Sequence, residues 1–377
     1  MKDHYWPQDT PVHIAPDFER LHTALRCREP DRVPLLDLFH DLEVKEAFLG
    51  RPICDVRDDI EFHLYAGYDY YTFGFQYEEM VEAYGRVGVA STGPATPLYD
   101  RKQARFWVPE SGNLISNRKD FEDFNWPDPG HSPIMAMSNV FDQVTGDEAV
   151  DQTLESLPEG MKLILQTDGI FERFTKLMGL ETFSYLLYDD PALVAEMFEI
   201  GGRMAVGLFE YMVQLPQVGA LWLADDLAYA SGTLVSPDLY RRHLFPWYRK
   251  IAEIAQDAHL PFLFHSDGNL LPILDELVEI GINALQPIEP KAMDIRLLKE
   301  KYFGRLCLIG NIDLGYTLTL GSPDEVRQEV RERIRCIAPG GGYCVGSSNT
   351  VTNYVPLENF KAMVEATFLY GHYPIPS

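Results

Sequence analysis

Short apolar or aromatic runs recur along the chain, each closed by polar residues and most followed by a stretch whose apolar positions return every three to four residues. Residues 32–40 (RVPLLDLFH) lead into the amphipathic DLEVKEAFLG, and residues 68–76 (YDYYTFGFQ) come next. KLILQTDG, ALWLADD, PFLFHSDG, NALQPIEP, RLCLIGNID and GYCVGSSN repeat the theme, each ahead of a helical pattern. Eight strand candidates alternating with segments of 3.6-residue period predict a parallel sheet, and eight such units favour a closed (β/α)8 barrel over an open, doubly wound sheet.

Punctuation supports these elements. Ser236-Pro237 and Ser322-Pro323 place an N-cap serine before proline at the first helical position. Gly281, Gly304 and Gly340 stand just past predicted helix ends, where a left-handed residue is wanted. Residues 84–150 break the rhythm with turn residues and short β-like runs, and are predicted to be a hairpin-containing insertion after the second strand, lying over the barrel mouth. No repeat or linker divides the chain, so residues 1–377 are expected to form a single domain.

Charge narrows the function classes. The 57 acidic residues against 32 Lys plus Arg leave a net charge of −25, which repels nucleic acid and anionic lipid and disfavours polyanionic substrates. The N-terminus shows no secretory signal and no apolar run reaches the length of a membrane span. Five scattered cysteines form no CxxC pattern, so reduced thiols in a cytoplasm are expected, with Cys307 and Cys344 in the core.

Candidate chemistry gathers where strands end. FLFHSDGNL (262–270) sets His265 and Asp267 two residues apart at the exit of an apolar run. A strand ending in an Asp-Gly turn accounts for this equally well, but barrels place their sites at that rim. Closure of eight strands would bring His40, Gln76, Gln166 with Asp168, Asp225 with Asp226, His265 with Asp267, Gln286 with Glu289, Asn311 with Asp313, and Ser347 with Asn349 to one mouth. Only one of Asp225 and Asp226 can point inward. Gln286 with Glu289 flanks a proline and is compatible with a turn, and Asn311 with Asp313 is compatible with an Asx-turn. Tyr70, Tyr71, Phe73, Phe75 and Tyr77 crowd one strand, and Trp107, Trp126, Trp222 and Tyr229 are placed near the mouth. Alternating strand aromatics are usually core. An aromatic-lined, acid-edged pocket still suits a neutral or phenolic ring better than a polyanion.

EPDRVP, NWPDP, LADDLAYASGTLVSPDLYRRHLFPWYRKI, FHSDGNLLPILDELVEIGINALQPIEP, RLCLIGNIDLGYTL and GGGYCVGSSNTVTNYVPLENFKAMVEA resemble the uroporphyrinogen decarboxylase superfamily. The likeness implies a (β/α)8 barrel with an N-terminal helical extension. It implies either decarboxylation of uroporphyrinogen or methyl transfer involving corrinoid proteins or coenzyme M. Two departures separate these. The decarboxylases carry an Arg-rich segment after the first strand, whereas this chain reads LLDLFHDLEVKEAF. The zinc methyltransferases resemble His-x-Cys plus a further Cys on the last strand. Here Asp267 stands for the first Cys and Asn349 for the second.

The expected activity is therefore transfer of a methyl group from a small methylated donor, such as a methoxylated aromatic, to a corrinoid (cobalamin) carried in trans by a partner protein. The alternative is a uroporphyrinogen decarboxylase-type carboxy-lyase. His265 and Asp267 are the expected catalytic pair, with Asp226 orienting them. His265 and Asp267 are also the candidate ligands for a divalent metal such as zinc. His40, Gln76, Gln166, Asp168, Trp222, Asp225, Tyr229, Gln286, Asn311 and Asn349 are assigned to substrate binding. No nucleic acid or membrane is expected as partner, and a homodimer stays an open alternative.

Overall fold

The computed structural model describes residues 15–86, 114–138, 140–141 and 144–375. The strands in chain order are β1 (Tyr70–Tyr77), β2 (Ile134–Met137), β3 (Lys162–Asp168), β4 (Val218–Ala224), β5 (Ala228–Tyr229), β6 (Gly232–Thr233), β7 (Phe262–His265), β8 (Ala284–Gln286), β9 (Cys307–Ile309) and β10 (Tyr343–Cys344). Eight of them form one sheet in the order β10-β9-β8-β7-β4-β3-β1-β2, and all neighbours run parallel except β1 and β2. β5 and β6 make a separate two-stranded hairpin.

The expected first strand is reduced to isolated pairings. Leu35 pairs with Val345 and His40 with Val351, both parallel. Leu36 N–H donates to Val345 O at 2.9 Å, and Val345 N–H donates to Pro34 O at 2.9 Å. Pro34 has no amide hydrogen to extend a ladder. On the other side Tyr70 Oη donates to Asp37 O at 2.7 Å. Residues 34–37 therefore take the first place in a (β/α)8 barrel, ahead of β1.

Strand parity separates lumen from wall. Thr72, Gly74, Ile164, Gln166, Asp168, Ala220, Trp222, Ala224, Leu263, His265, Ala284 and Gln286 lie on one face through successive registers. The opposite face meets the helices. Phe73 packs edge-on against Phe141, and Phe75 against Tyr211 of the helix Pro191–Met212. These strand aromatics are thus core, as alternation suggested. Cys307 and Cys344 are fully buried, with sulfurs 3.9 Å apart.

The N-terminal extension is the helix Phe18–Leu25, capped by Asp17. Arg20 anchors it through Asp31 and the buried Asp69, both at 2.6 Å. Ser322 caps Pro323–Ile337 with a full capping box, and Gly281 closes Leu274–Ile280 at φ 118°. Within the described part of the insertion, β2 pairs with β1 and joins the main sheet. Residues 87–113, where the remainder of the expected hairpin and Trp107 fall, lie outside the described residues. Trp126 packs on Phe121, Phe124 and Phe174 and lines an outer groove beside Arg203 and Trp247, so it does not reach the mouth. No helix among the described residues is long and apolar enough to cross a membrane.

Candidate active site

Asp226, His265 and Asp267 converge at the C-terminal ends of β4 and β7. Each offers one ligand atom, and these atoms all lie within 4.8 Å of one another. His265 Nε2 is 3.6 Å from Asp226 Oδ1 and 3.9 Å from Asp267 Oδ1. The Asp267 amide donates to Asp226 Oδ1 at 2.9 Å, which ties the two loops together.

Neighbouring groups fix each member. His265 Nδ1 bonds Gln286 Oε1, while Gln286 Nε2 donates to Asn349 O at 3.4 Å. That second bond sets the amide so that its oxygen faces the imidazole. Nδ1 then carries a hydrogen, and Nε2 is the ring nitrogen that faces the carboxylates. Asn349 Nδ2 donates to Asp267 Oδ2 at 2.7 Å. Asp267 Oδ1 is buried and has no hydrogen-bond partner among the described residues. Gly268 follows at φ 84°, where an added Cβ would stand 2.4 Å from Ala228 O. Glycine is required there for the turn to nest against the β5–β6 hairpin. Its amide donates to Glu289 Oε2 at 3.2 Å.

The field at this cluster is strongly acidic. Burial pushes the Asp267 carboxyl up, with Asp226 and Glu289 adding to it and His265 and Asn349 opposing, to about 7. Burial pulls the His265 imidazolium down, but Asp267, Asp226, Gln286 and Glu172 outweigh that and leave it above its ordinary value. Glu172 is pushed up to about 8 by burial and by Asp226, Asp168 and Asp225, against the pull of Lys176.

Sequence reasoning missed Glu172 and Lys176. Lys176 Nζ lies 3.1 Å from Glu172 and 3.3 Å from Asp168 Oδ2. In the sequence, Glu172 and Lys176 look like an ordinary i,i+4 surface pair. The signal was their position in the helix that directly follows β3.

Several expected site residues are placed elsewhere. Asp225 turns away from the lumen and caps the helix Ile170–Met178. It accepts from the amides of Ile170, Phe171 and Glu172 at 2.7, 3.0 and 2.8 Å, and from Tyr248 Oη at 2.6 Å. A fully buried acceptor with four donors has nothing left for a substrate. His40 is a satisfied core residue, bonded to Tyr68 Oη at 2.8 Å and packed edge-on against Phe62, His63 and Phe360. Asn311 spends its amide on Ile288 O and Arg333 Nε, at 2.9 and 3.0 Å, clamping two elements. Asp313 accepts from the Gly315 amide at 2.8 Å, the Asx-turn alternative. Asp168 is engaged by Lys176. The Tyr229 side chain is exposed, though its carbonyl accepts from the Asn269 amide beside the site at 2.8 Å. Gln286 and Asn349 hold the cluster. Gln76, Gln166 and Trp222 are buried and face the lumen.

A family model described as uroporphyrinogen decarboxylase (URO-D) matches residues 108–368. The chain belongs to this family. Among the relatives of this URO-D member, the methylcobamide:CoM methyltransferase MtaA of Methanosarcina barkeri is 25% identical over 58% of this chain and 61% of its own. The methylated-thiol–coenzyme M methyltransferase of Methanosarcina mazei is 27% identical over 65% and 61%, respectively. The uroporphyrinogen decarboxylase of Anaeromyxobacter dehalogenans is 26% identical over 51% and 53%. The chain thus spans less than two thirds of each relative's length. A solved structure, a methyltransferase from Methanosarcina mazei, superposes with a TM-score of 0.67 at 20% identity, covering 93% of this chain and 98% of that one. The shared fold is the URO-D-type barrel.

Proposed function

We propose that this protein is a methyltransferase that moves a methyl group from a small methylated donor, a methoxylated aromatic in the favoured reading, to a corrinoid presented by a partner protein. The observation that carries the reading is the convergence of Asp226, His265 and Asp267 on one point at the strand ends. Two relatives bear methyltransferase names, which supports the reaction class.

Breaking a methyl–oxygen bond leaves an oxyanion, and that departure is hard unless the charge is met as it develops. Gln286 and Asn349 hold His265 and Asp267 in fixed directions, so the cluster needs little rearrangement to meet it. The fit to a divalent cation is good. Asp267 Oδ1 is buried with no hydrogen-bond partner among the described residues, His265 meets Gln286 through Nδ1 and so leaves Nε2 for an ion, and ligand atoms 3.6 and 3.9 Å apart suit donors around one small ion. Asp226, His265 and Asp267 would hold that ion, which supplies Lewis acidity toward the departing oxygen. A nitrogen–oxygen donor set lacks the thiolates that suit activation of a thiol acceptor. The methyl acceptor is accordingly assigned as a corrinoid rather than coenzyme M.

The decarboxylase alternative meets a charge objection. The 35–48 stretch holds no arginine, and its Lys45 is buried against Asp59 at 2.6 Å. Lys176 is matched by Glu172 and Asp168. A substrate with many carboxylates would find no spare cation in these places. The test is a cob(I)alamin methylation assay with a panel of methoxyarenes, run beside an assay for coproporphyrinogen from uroporphyrinogen. Methylcobalamin formation supports the proposal, and decarboxylation as the only activity refutes it.

A further inference from the structure

Beside and below the acidic cluster, the lumen carries a second polar group set of the opposite kind. Gln166 and Trp222 are in register on β3 and β4, one inward step beneath Asp168, Ala224 and His265. Two residues along a strand make that step about 7 Å. Gln76 lies on the same inward face of β1, two residues beyond Gly74, the partner of Gln166, and so stands level with Asp168. All three side chains are nine-tenths buried or more. In each, an N–H group has no hydrogen-bond partner among the described residues: Gln76 Nε2, Gln166 Nε2 and Trp222 Nε1. Their identity as donors is firm at two of the three. The Gln76 oxygen is taken by the Tyr77 amide at 3.1 Å, leaving its nitrogen for the lumen, and indole nitrogen can only donate.

Barrel interiors are normally filled by packed aliphatic side chains, and buried donors are normally paired. Three unpaired donors on adjacent strands, facing one lumen, need acceptors. None is a cation. The charged groups above them are Asp168, Glu172, Asp226, Asp267 and Glu289, five acids offset by Lys176, His265 and, beside Glu289, Lys291. The environment therefore welcomes neutral acceptor oxygens and penalises an added carboxylate.

Resting on the methyl-transfer reading, we propose that the donor is an uncharged aromatic ether. Its ring lies against Trp222, and its oxygens accept from Gln76, Gln166 and Trp222. Ring carboxylates of the same size are excluded. Substrate selectivity would then be set by Gln166 and Trp222 a level below the residues that activate the leaving oxygen, with Gln76 beside them. A site built to donate hydrogen bonds discriminates against ligands that cannot accept them, because its buried donors are left unpaired.

The test is calorimetric titration of the intact protein with guaiacol, its carboxylated analogue vanillate, and toluene as a ring without oxygen. Guaiacol is expected to bind at least about tenfold tighter than either of the others, the usual scale for a charged or unpaired polar group in a buried site. Trp222→Phe and Gln166→Met each delete one N–H while keeping bulk, and each should weaken guaiacol binding roughly tenfold with toluene unchanged. Should Trp222→Phe fail to fold, Gln166→Met and the wild-type ligand series carry the test. Vanillate binding as tightly as guaiacol, no effect of Gln166→Met, or no binding by guaiacol overturns the inference. Selective guaiacol binding without methylation of cob(I)alamin would leave the binding role of Gln76, Gln166 and Trp222 standing and overturn the methyl-transfer reading instead.

Discussion

Asp225 and Asp226 are adjacent in sequence, yet their substitution should have opposite consequences. Asp225→Asn keeps the volume and removes the charge. In the native protein Asp225 Oδ2 accepts from the Ile170 and Phe171 amides and from Tyr248 Oη, while Oδ1 accepts from the Glu172 amide. An amide oxygen can keep the three-donor position, but each of those bonds loses charge assistance worth roughly 1 kcal/mol. The new NH2 would then face the Glu172 amide, donor against donor, in a fully buried place. Leaving that amide unsatisfied costs about 1–3 kcal/mol. Because the terms overlap, we expect a net loss of about 3–4 kcal/mol, measured as a lower midpoint in urea unfolding followed by circular dichroism near pH 7.5. Asp226, by contrast, is half-buried and holds one amide, that of Asp267. Asp226→Asn should cost under about 1 kcal/mol, the scale of ordinary surface changes, while activity collapses. An Asp225→Asn midpoint within about 1 kcal/mol of wild type, or a larger loss for Asp226→Asn, would refute this division of labour.

Two further outcomes follow from named groups. Burial pushes the His63 imidazolium down to about 3, against Asp59 at 3.8 Å and with Lys45 and His40 opposing the charge. The unfolded chain takes up this proton near 6.5 and the folded protein does not. Stability is therefore full above about pH 7 and should fall by roughly 2 kcal/mol by pH 5. His63→Gln should lack that component, and superposable pH profiles for the two proteins in urea titrations would refute the assignment. At the site, Asp267→Asn removes the charge facing His265 and should cut methyl transfer by about 10²-fold, the scale expected for a lost acid–base or metal partner, with the fold kept. Near-normal transfer by this variant would return Asp267 to a turn-forming role.

Much of the barrel could be read from hydrophobic rhythm because parallel strands are covered on both faces and appear as short apolar runs. The first strand was harder. Its residues have the right composition, but Pro34 and the Tyr70 hydroxyl, which takes up the main-chain N–H and C=O of Asp37, replace a regular ladder with isolated pairings. The clustering of His265, Asp267 and Asn349 was legible because strand parity and turn chemistry agreed there. Parity also required that one of Asp225 and Asp226 face outward. It could not say which, since that depends on the helix Ile170–Met178 bringing three free amides to the outer face. His40 and Asn311 were misassigned for a related reason. A polar residue at a strand end marks a site only if no neighbour claims it, and Tyr68 and Arg333 are remote in sequence from the residues they occupy. Glu172 and Lys176 were invisible because an i,i+4 pair looks the same on a solvated face and in a barrel mouth.

The most direct test of the account follows the absorbance of cob(I)alamin on mixing with guaiacol and either the wild-type protein or His265→Ala, with the metal content of both proteins measured in parallel. We expect wild type to form methylcobalamin and to carry about one divalent ion per chain, as three converging protein ligands allow. His265→Ala should do neither while still unfolding in one cooperative transition, with a midpoint matching that of the metal-free wild type. Methylcobalamin formation by His265→Ala at the wild-type rate, or none by wild type across the methoxyarene panel, would contradict the proposed function.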